Sequence, residues 1–256
     1  MPRFSANLSF LYQEVAFADR FARAAKDGFK AVEYMSPYDM SMEEIAKLLA
    51  ENRLQQALFN LPAGDWAKGE RGIACHPDRI GEFREGVKLA AEYAHALGCP
   101  QVNCIAGILP SDVLRAQAWD TFIANLAFAA DFLMHENIRL LIEPINHFDI
   151  PGFLINRSSD GMNAIETVVS DNLFLQYDIY HMQRMEGELA ATLERLMPRI
   201  AHIQIADNPG RHEPGTGEIN YPFLFELIDK LDYTGWVGCE YKPLNGTSEG
   251  LGWRPA

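Results

Sequence analysis

Carboxylate and amide side chains lie at the ends of four consecutive apolar segments in the second half of the sequence. They are Glu143 after RLLI, Asp178 at the end of LFLQYD, Gln204 within AHIQIAD, and Glu240 after WVGC. If these segments are neighbouring parallel strands, their carboxyl ends meet at one edge of the sheet and the oxygens share one site. Each acid by itself could cap a helix or pair with a base, but three acids on neighbouring strands favour a shared site.

Acidic side chains held this close together repel one another, and each raises the pKa of its neighbours. A divalent cation removes that conflict, and a set of oxygen ligands favours Mg²⁺ or Mn²⁺ over zinc. The pattern therefore predicts a hard divalent metal bound where these strands end.

Eight short apolar segments alternate with longer segments of helical character along the whole chain. Several are too apolar for strict alternation, as expected for strands buried on both faces of a parallel sheet. Eight strand–helix units favour a closed barrel over an open sheet. We predict an α/β fold, a single (β/α)8 TIM-barrel domain over residues 1–256, whose C-terminal helix is reduced because the tail is short and rich in Gly and Pro. The predicted strands are Phe4–Phe10, Ala31–Met35, Gln56–Asn60, Gln101–Ala106, Arg139–Ile145, Leu173–Ile179, Ile200–Ala206 and Trp236–Tyr241.

Helix start and stop signals separate the strands. Ser41-Met42-Glu43-Glu44 has the form of a capping box, and Ser111 or Asp112 is expected to cap a long helix that ends at His135. Two long loops, 61–77 and 207–220, fall on the strand-to-helix side, where barrel enzymes keep their active sites. The other predicted helices are Val15–Asp27, Arg79–Leu97, Asp160–Val169, Glu188–Leu196 and Tyr221–Leu231.

Composition and charge exclude several classes of partner. The formal net charge of −13 argues against a nucleic-acid ligand, which needs a concentrated basic face. None of the four cysteines forms a C-x-x-C pair, so a zinc or thioredoxin-like site has no support. We find neither a signal-peptide pattern nor an apolar run near the roughly 20 residues of a membrane span. We therefore expect a soluble, cytoplasmic protein without a membrane partner, and a homo-oligomer is compatible with the sequence.

Long motifs in the chain resemble the hydroxypyruvate isomerase family, within the xylose-isomerase-like barrel superfamily that also includes ketose 3-epimerases and endonuclease IV. They are LLIEPINHFDIPGF, QYDIYHMQRMEGE, HIQIADNPGRHEPGTGEINY and GCEYKP, with PRFSANLSF and NLPAGDWAKGERGIAC in the first half. The resemblance implies that Glu143, Asp178, Gln204 and Glu240 ligate the metal, and that Glu143 and Glu240 also transfer the proton. Epimerases usually place histidine where Gln204 stands, and a neutral amide oxygen keeps the site hard.

The implied substrate is a small 2-oxo hydroxy acid, so its carboxylate requires a cation. Arg71, Arg211 and Lys242 are the candidates, because two lie in the long loops and Lys242 follows Glu240 closely. Arginine suits bidentate carboxylate binding. Two histidines near strand ends, His181 and His147, are further candidate substrate contacts, and the resemblance implies that His181 touches a substrate oxygen. His202 is expected to be a core or supporting residue, and Trp66 either closes the pocket or packs.

The function expected from this resemblance is interconversion of hydroxypyruvate and 2-hydroxy-3-oxopropanoate (tartronate semialdehyde) through an enediolate. One alternative is a related 2-oxo-tetronate isomerase or ketose 3-epimerase using the same site. A phosphodiesterase of the endonuclease IV type would want a histidine-rich, multi-metal site and a basic groove. A non-catalytic sugar-acid binding protein would not need both glutamates around a metal.

Overall fold

Eight parallel strands close into a barrel in sequence order, and β8 pairs with β1. A computed structural model describes residues 1–254; the last two residues of the predicted domain, 255 and 256, lie outside the described residues. The predicted (β/α)8 fold is confirmed, and most strands end one to three residues before their predicted ends. The strands are β1 (Arg3–Asn7), β2 (Ala31–Glu33), β3 (Gln55–Asn60), β4 (Gln101–Cys104), β5 (Arg139–Ile142), β6 (Leu173–Asp178), β7 (Ile200–Ile205) and β8 (Trp236–Cys239).

Helices surround the barrel and mostly match the predicted segments. The capping box of Ser41 and Glu44 forms as predicted, because the Ser41 hydroxyl accepts from the Glu44 N–H while the Glu44 carboxylate accepts from the Ser41 N–H. Among the described residues after β8, up to 254, the only helical segment is the short 3₁₀ helix Glu249–Trp253, in agreement with the predicted reduced last helix. The helices are α1 (Phe17–Lys26), α2 (Met42–Asn52), α3 (Ile80–Leu97), α4 (Arg115–His135), α5 (Ser158–Val168), α6 (Ile179–Met185), α7 (Leu189–Leu196) and α8 (Tyr221–Lys230).

One helix prediction was wrong, and one helix was missed. Neither Ser111 nor Asp112 caps α4, which begins after Leu114. The preceding segment is held to the β5–α5 loop, where the Leu109 N–H donates to the Gly152 carbonyl at 2.9 Å, so the chain enters the helix later. The second correction is α6, a short helix directly after β6 that the sequence analysis had left out; the Asp178 carboxylate caps it.

Apolar packing occurs both outside and inside the barrel. The main core lies between strands and helices and includes the fully buried Phe122 of α4. A separate cluster of Leu58, Leu141 and Ala201 packs with Phe174. Because β3 and β7 are distant in the strand order, these side chains can meet only across the barrel interior. None of the described helices is long and apolar enough to cross a membrane.

Removing a large side chain from the strand–helix core should destabilise the whole barrel. We expect Phe122→Ala to lower the free energy of unfolding by about 3–5 kcal/mol, because the transfer free energy is lost and a cavity remains. Phe223→Ala on α8, where the ring is 52% exposed, should change it by less than about 1 kcal/mol. Urea denaturation followed by circular dichroism measures both, and equal losses would contradict this account of the core.

Candidate active site

The carboxyl ends of β5 to β8 bring four side chains to one end of the barrel. Glu143 follows β5, Asp178 is the last residue of β6, Gln204 lies in β7, and Glu240 follows β8. Gln204 is paired in register with Asp178 on one side and with Gly238 on the other. All four side chains belong to buried residues. The structure therefore gathers the four residues to which the strand pattern pointed.

A cavity of about 90 Å³ opens beside these side chains. Glu143, Gln204 and Glu240 lie in its wall together with His181 and Arg211. The remaining wall is largely apolar and is formed by residues that include Phe10, Met35, Trp66, Ile105, Ile145 and Ile150. A set of acidic, amide and basic side chains therefore shares a small cavity whose remaining wall is largely hydrophobic, as is usual for small-molecule sites.

Glu143, Asp178 and His181 form a group that could hold a metal ion, because one potential ligand atom from each lies within 4.8 Å of the others. The His181 Nε2 atom is 3.8 Å from Glu143 Oε1 and 3.6 Å from Asp178 Oδ2. Asp178 Oδ2 is buried and has no hydrogen-bond partner. A buried, unpartnered carboxylate oxygen is unusual, and it fits a cation ligand.

His181 is suited to act as a ligand or a hydrogen-bonding group. Burial, and then the positive charges of Arg211 and Arg184, hold the pKa of the His181 imidazole well below its usual range. The ring is therefore neutral at pH 7, the form in which histidine ligates metals. Its Nδ1 atom lies 2.6 Å from the Asn146 side-chain amide, which fixes the ring's orientation. From the sequence, His181 is predicted to contact the substrate and not the metal.

An amide ladder connects the two glutamates. The Gln204 Nε2 group donates to Glu240 Oε2 at 2.6 Å, and Gln204 Oε1 accepts from the Gln176 Nε2 group at 2.6 Å. The Gln176 Nε2 group also donates to Glu143 Oε2 at 2.9 Å, which further accepts from Asn103 at 3.2 Å. The neutral amides therefore fix the positions of both carboxylates without neutralising their charge.

Burial makes ionisation of these acids unfavourable. It raises the pKa of Glu240 to about 8, against the lowering effect of Arg211. Burial also raises the pKa of Asp178 to about 6, again opposed by Arg211. The pKa of Glu143 lies well above its usual range because of burial and then because of the charges of Glu240 and Asp178. The site therefore has a deficit of positive charge.

Arg211 is the only Lys or Arg among the described residues that line the cavity. Its Nη2 group donates to Glu240 Oε1 at 2.6 Å and lies 3.8 Å from Asp178 Oδ2. The guanidinium also lies over the rings of Phe10 and Tyr180, at 4.7 Å and 5.1 Å from their centroids. The loop after β7 thus places the Arg211 guanidinium beside Glu240 and Asp178, where it also packs on two aromatic rings.

Three other predicted contacts lie away from the cavity wall. The Lys242 side chain is exposed, and its backbone N–H donates to the Arg211 carbonyl at 2.7 Å. His147 is exposed, and its ring contacts that of Phe148 at a tilt of 40° with centroids 4.2 Å apart. Arg71 lies 3.8 Å above the ring of Trp66, which does line the cavity. Of these three, Arg71 is therefore connected to the cavity through Trp66.

Glu33 is the principal site residue that the sequence analysis missed. It ends β2, lines the cavity and is 1% exposed. Its position after Ala31-Val32 repeats the pattern that identified Glu143 and Glu240, so the signal was present in a very short strand. His202, expected to be a supporting residue, is fully buried and lies 2.9 Å from Glu33 Oε2. Further polar residues missed by the sequence analysis are Asn7, Asn103, Asn146 and Gln176.

Comparison with known proteins agrees with this geometry. The xylose isomerase-like TIM barrel family model matches residues 21–255. The chain is 56% identical to hydroxypyruvate isomerase of Escherichia coli strain K12, over 99% of this chain and 98% of that protein. It is 51% identical to 2-oxo-tetronate isomerase of Cupriavidus necator, over 99% and 97%. The crystal structure of an AP endonuclease, family 2, from Brucella melitensis covers 99% of this chain and 98% of that one, with a TM-score of 0.96 and 43% identity.

The chain therefore belongs to the xylose isomerase-like TIM barrel family. The resemblance to hydroxypyruvate isomerases, recognised from the motifs, is confirmed.

The raised pKa of Glu240 predicts how the stability of the metal-free protein depends on pH. The pKa of this carboxyl group is 4.5 in the unfolded chain and about 8 in the folded protein. Between these two pH values the folded protein therefore binds more protons than the unfolded chain. Stability should therefore fall as the pH rises from about 4.5 to about 8, by at most about 1.4 kcal/mol per pH unit for one group. Urea denaturation in EDTA measures the slope.

The Glu240→Gln variant should have a shallower slope, because the amide does not titrate. Glu51→Gln, at a surface side chain that is 57% exposed, serves as the control and should keep the parent slope. A parent slope that is flat, or that rises with pH, would contradict the assignment.

Proposed function

We propose that this chain is an isomerase that interconverts hydroxypyruvate and 2-hydroxy-3-oxopropanoate. The observation that carries the proposal is the pair of buried glutamates, Glu143 and Glu240, in the wall of one small cavity that also contains Arg211. The 56% identity to hydroxypyruvate isomerase over nearly the whole chain supports the choice of substrate.

The reaction moves a carbonyl between two adjacent carbons. In the forward direction a proton leaves C3 of hydroxypyruvate, which gives an enediolate. The proton of the C3 hydroxyl passes to the C2 oxygen and a proton is returned to C2, so that C3 becomes the aldehyde carbon. Glu143 and Glu240 are the groups proposed to take and return these protons, since both are carboxyls that border the cavity. The amide ladder of Gln204 and Gln176 fixes the two carboxylates relative to each other, so the substrate carbons can be held between fixed groups.

The site is also proposed to hold a divalent metal through Glu143, Asp178, Gln204 and Glu240, with His181 as a neighbouring group. The buried Asp178 Oδ2 atom without a partner and the mutual repulsion of three acids both fit a cation at this position. Oxygen donors suit Mg²⁺ or Mn²⁺. When bound, such an ion supplies Lewis acidity to the substrate oxygens.

Arg211 is the proposed partner of the substrate carboxylate. Its guanidinium is the cation within the described cavity wall, and it already lies beside Glu240. Arg71 is a second candidate, because its contact with Trp66 connects it to the same cavity. His181 is proposed to contact a substrate oxygen, whereas Lys242 and His147 would reach the substrate only if their exposed side chains turned toward the cavity.

The cavity volume favours a small substrate. About 90 Å³ is well below the roughly 300–1,000 Å³ of sites that bind drug-sized ligands. The cavity therefore suits hydroxypyruvate or its four-carbon homologue 2-oxo-tetronate better than a ketohexose. We therefore retain 2-oxo-tetronate isomerisation as the second candidate, supported by the 51% identical relative that bears that name.

The other rival functions fit the site less well. A nucleic-acid phosphodiester substrate needs a basic groove, whereas Arg211 is the only Lys or Arg among the described residues that line the cavity. A binding protein without activity would not need two buried glutamates connected by an amide ladder.

A substrate panel tests the proposed function directly. The Mg²⁺- or Mn²⁺-loaded protein should turn over hydroxypyruvate, with 2-oxo-tetronate as the next best substrate and ketohexoses far slower, because the cavity is small. Product formation is followed by a coupled aldehyde assay and by NMR. Rapid turnover of a ketohexose without turnover of hydroxypyruvate would overturn the proposal.

Loss of either glutamate should nearly abolish catalysis. We expect Glu143→Gln and Glu240→Gln each to lower turnover by about 10²–10⁴-fold, the usual contribution of a general acid or base. Turnover is measured at a Mn²⁺ concentration where electron paramagnetic resonance shows bound metal, and the surface variant Glu136→Gln is the control. Near-normal turnover of either variant with Mn²⁺ bound would remove that residue from the proton-transfer pair.

A further inference from the structure

Glu33 is a buried carboxylate whose hydrogen-bonding capacity is fully used. Its Oε1 atom accepts from the Asn7 amide at 3.2 Å and from the Gln204 amide at 2.9 Å. Its Oε2 atom accepts from the Ser5 hydroxyl at 2.6 Å and lies 2.9 Å from His202 Nε2. An ionised carboxylate offers about four acceptor sites and no donor, so these four neighbours complete its environment.

The orientation of the Gln204 side chain follows from this arrangement. An amide group has two N–H bonds and one oxygen. Both N–H bonds are used, because the Nε2 group donates to Glu33 and to Glu240 Oε2. If the amide were turned over, its oxygen would lie 2.6–2.9 Å from two carboxylate oxygens, with acceptor facing acceptor on both sides.

The amide oxygen is thereby directed to the opposite side, toward Gln176 and Glu143. It accepts one hydrogen bond, from the Gln176 Nε2 group at 2.6 Å. Since an amide oxygen has two lone pairs, one remains for a further partner. Gln204 therefore presents an oxygen, rather than an N–H group, where the metal is proposed to bind.

Glu33 is itself held in position from two sides. His202 Nδ1 lies 3.5 Å from the Gln101 amide nitrogen, an arrangement that leaves Nε2 of His202 as the donor toward Glu33. On β8, a Cβ atom at Gly238 would lie 2.2 Å from Glu33 Oε1. Only glycine therefore leaves room for the carboxylate beside Gln204.

From these contacts we infer that Glu33 is a positioning residue, which fixes the side-chain amide of Gln204 with its nitrogen toward Glu240 and its oxygen toward the metal site. This inference rests on the proposed metal site. Glu33 would act through Gln204, because hydrogen-bonding neighbours occupy the acceptor positions of its carboxylate.

A double-mutant cycle with Mn²⁺ affinity as the readout tests the inference without substrate or turnover. Glu33→Met removes the acceptor oxygens at similar side-chain length and should weaken Mn²⁺ binding by about 10–100-fold, the usual effect of losing a partner that orients a ligand. In a Gln204→Ala background the same change should alter the affinity by less than about threefold, because the amide that it orients is absent. Free Mn²⁺ is titrated by electron paramagnetic resonance.

Two further variants make the readout independent of folding defects. Glu33→Asp keeps the charge but withdraws the oxygens by one methylene, so it should weaken Mn²⁺ binding with Gln204 present and not with Ala at that position. Glu33→Gln retains one acceptor oxygen that can face Gln204, and it should remain within about threefold of the parent. Circular dichroism confirms that each variant is folded at the temperature of the titration.

The outcomes separate this inference from the proposed function. Equal losses in the two backgrounds, or no loss in the Gln204 background, would overturn the role of Glu33 while leaving the metal site intact. Failure of the parent chain to bind Mn²⁺ would remove the metal site and, with it, this inference. A loss that depends on Gln204 supports it.

Discussion

The structure depends on one electrostatic constraint, the burial of four carboxylates around the candidate active site. Glu33, Glu143, Asp178 and Glu240 are each less than a tenth exposed. An uncompensated buried charge is very costly, so each acid must be hydrogen-bonded, paired with a cation or protonated. The amides, histidines and Arg211 around these acids supply the hydrogen bonds and the positive charge.

The negative charges of the four acids are stabilised in different ways, and these differences indicate different roles. Glu33 receives four hydrogen-bonding neighbours and has no remaining capacity. Glu240 is paired with Arg211. Glu143 has only neutral amide donors, and Asp178 leaves one oxygen without a partner. The negative charges of Glu143 and Asp178 are therefore the least compensated, and a cation from solution would be most stabilising beside them.

Much of the fold and part of the site could be predicted from the sequence. The strands were recognisable because strands buried on both faces read as apolar runs, and Glu143 and Glu240 stand directly after such runs. The start of α4 was not predictable, because it depends on a hydrogen bond between Leu109 and the distant Gly152. Glu33 was missed although its strand was predicted, because only two apolar residues, Ala31 and Val32, precede the acid in that strand.

Side-chain direction was the other feature that local sequence does not determine. Arg211 and Lys242 both follow strands closely and carry the same charge. In the fold their backbones are hydrogen-bonded to each other at 2.7 Å, yet Arg211 points into the cavity while Lys242 is exposed. The loop after β7 decides this difference, since Arg211 adopts a left-handed backbone conformation with φ of 59°.

The relation between site and substrate length follows from how the cavity wall is divided. Its polar groups would address the carboxylate and the two reacting carbons of the proposed substrates, which three- and four-carbon 2-oxo acids share. Ile105, Ile145 and Ile150 belong to the apolar part of the wall. An apolar wall discriminates a small change in length by only about 1–3 kcal/mol, whereas a site that hydrogen-bonds a hydroxyl group discriminates far more strongly. In the proposed function the polar groups would therefore act on either substrate, and the apolar part of the wall alone would shift the preference between them by only a modest factor.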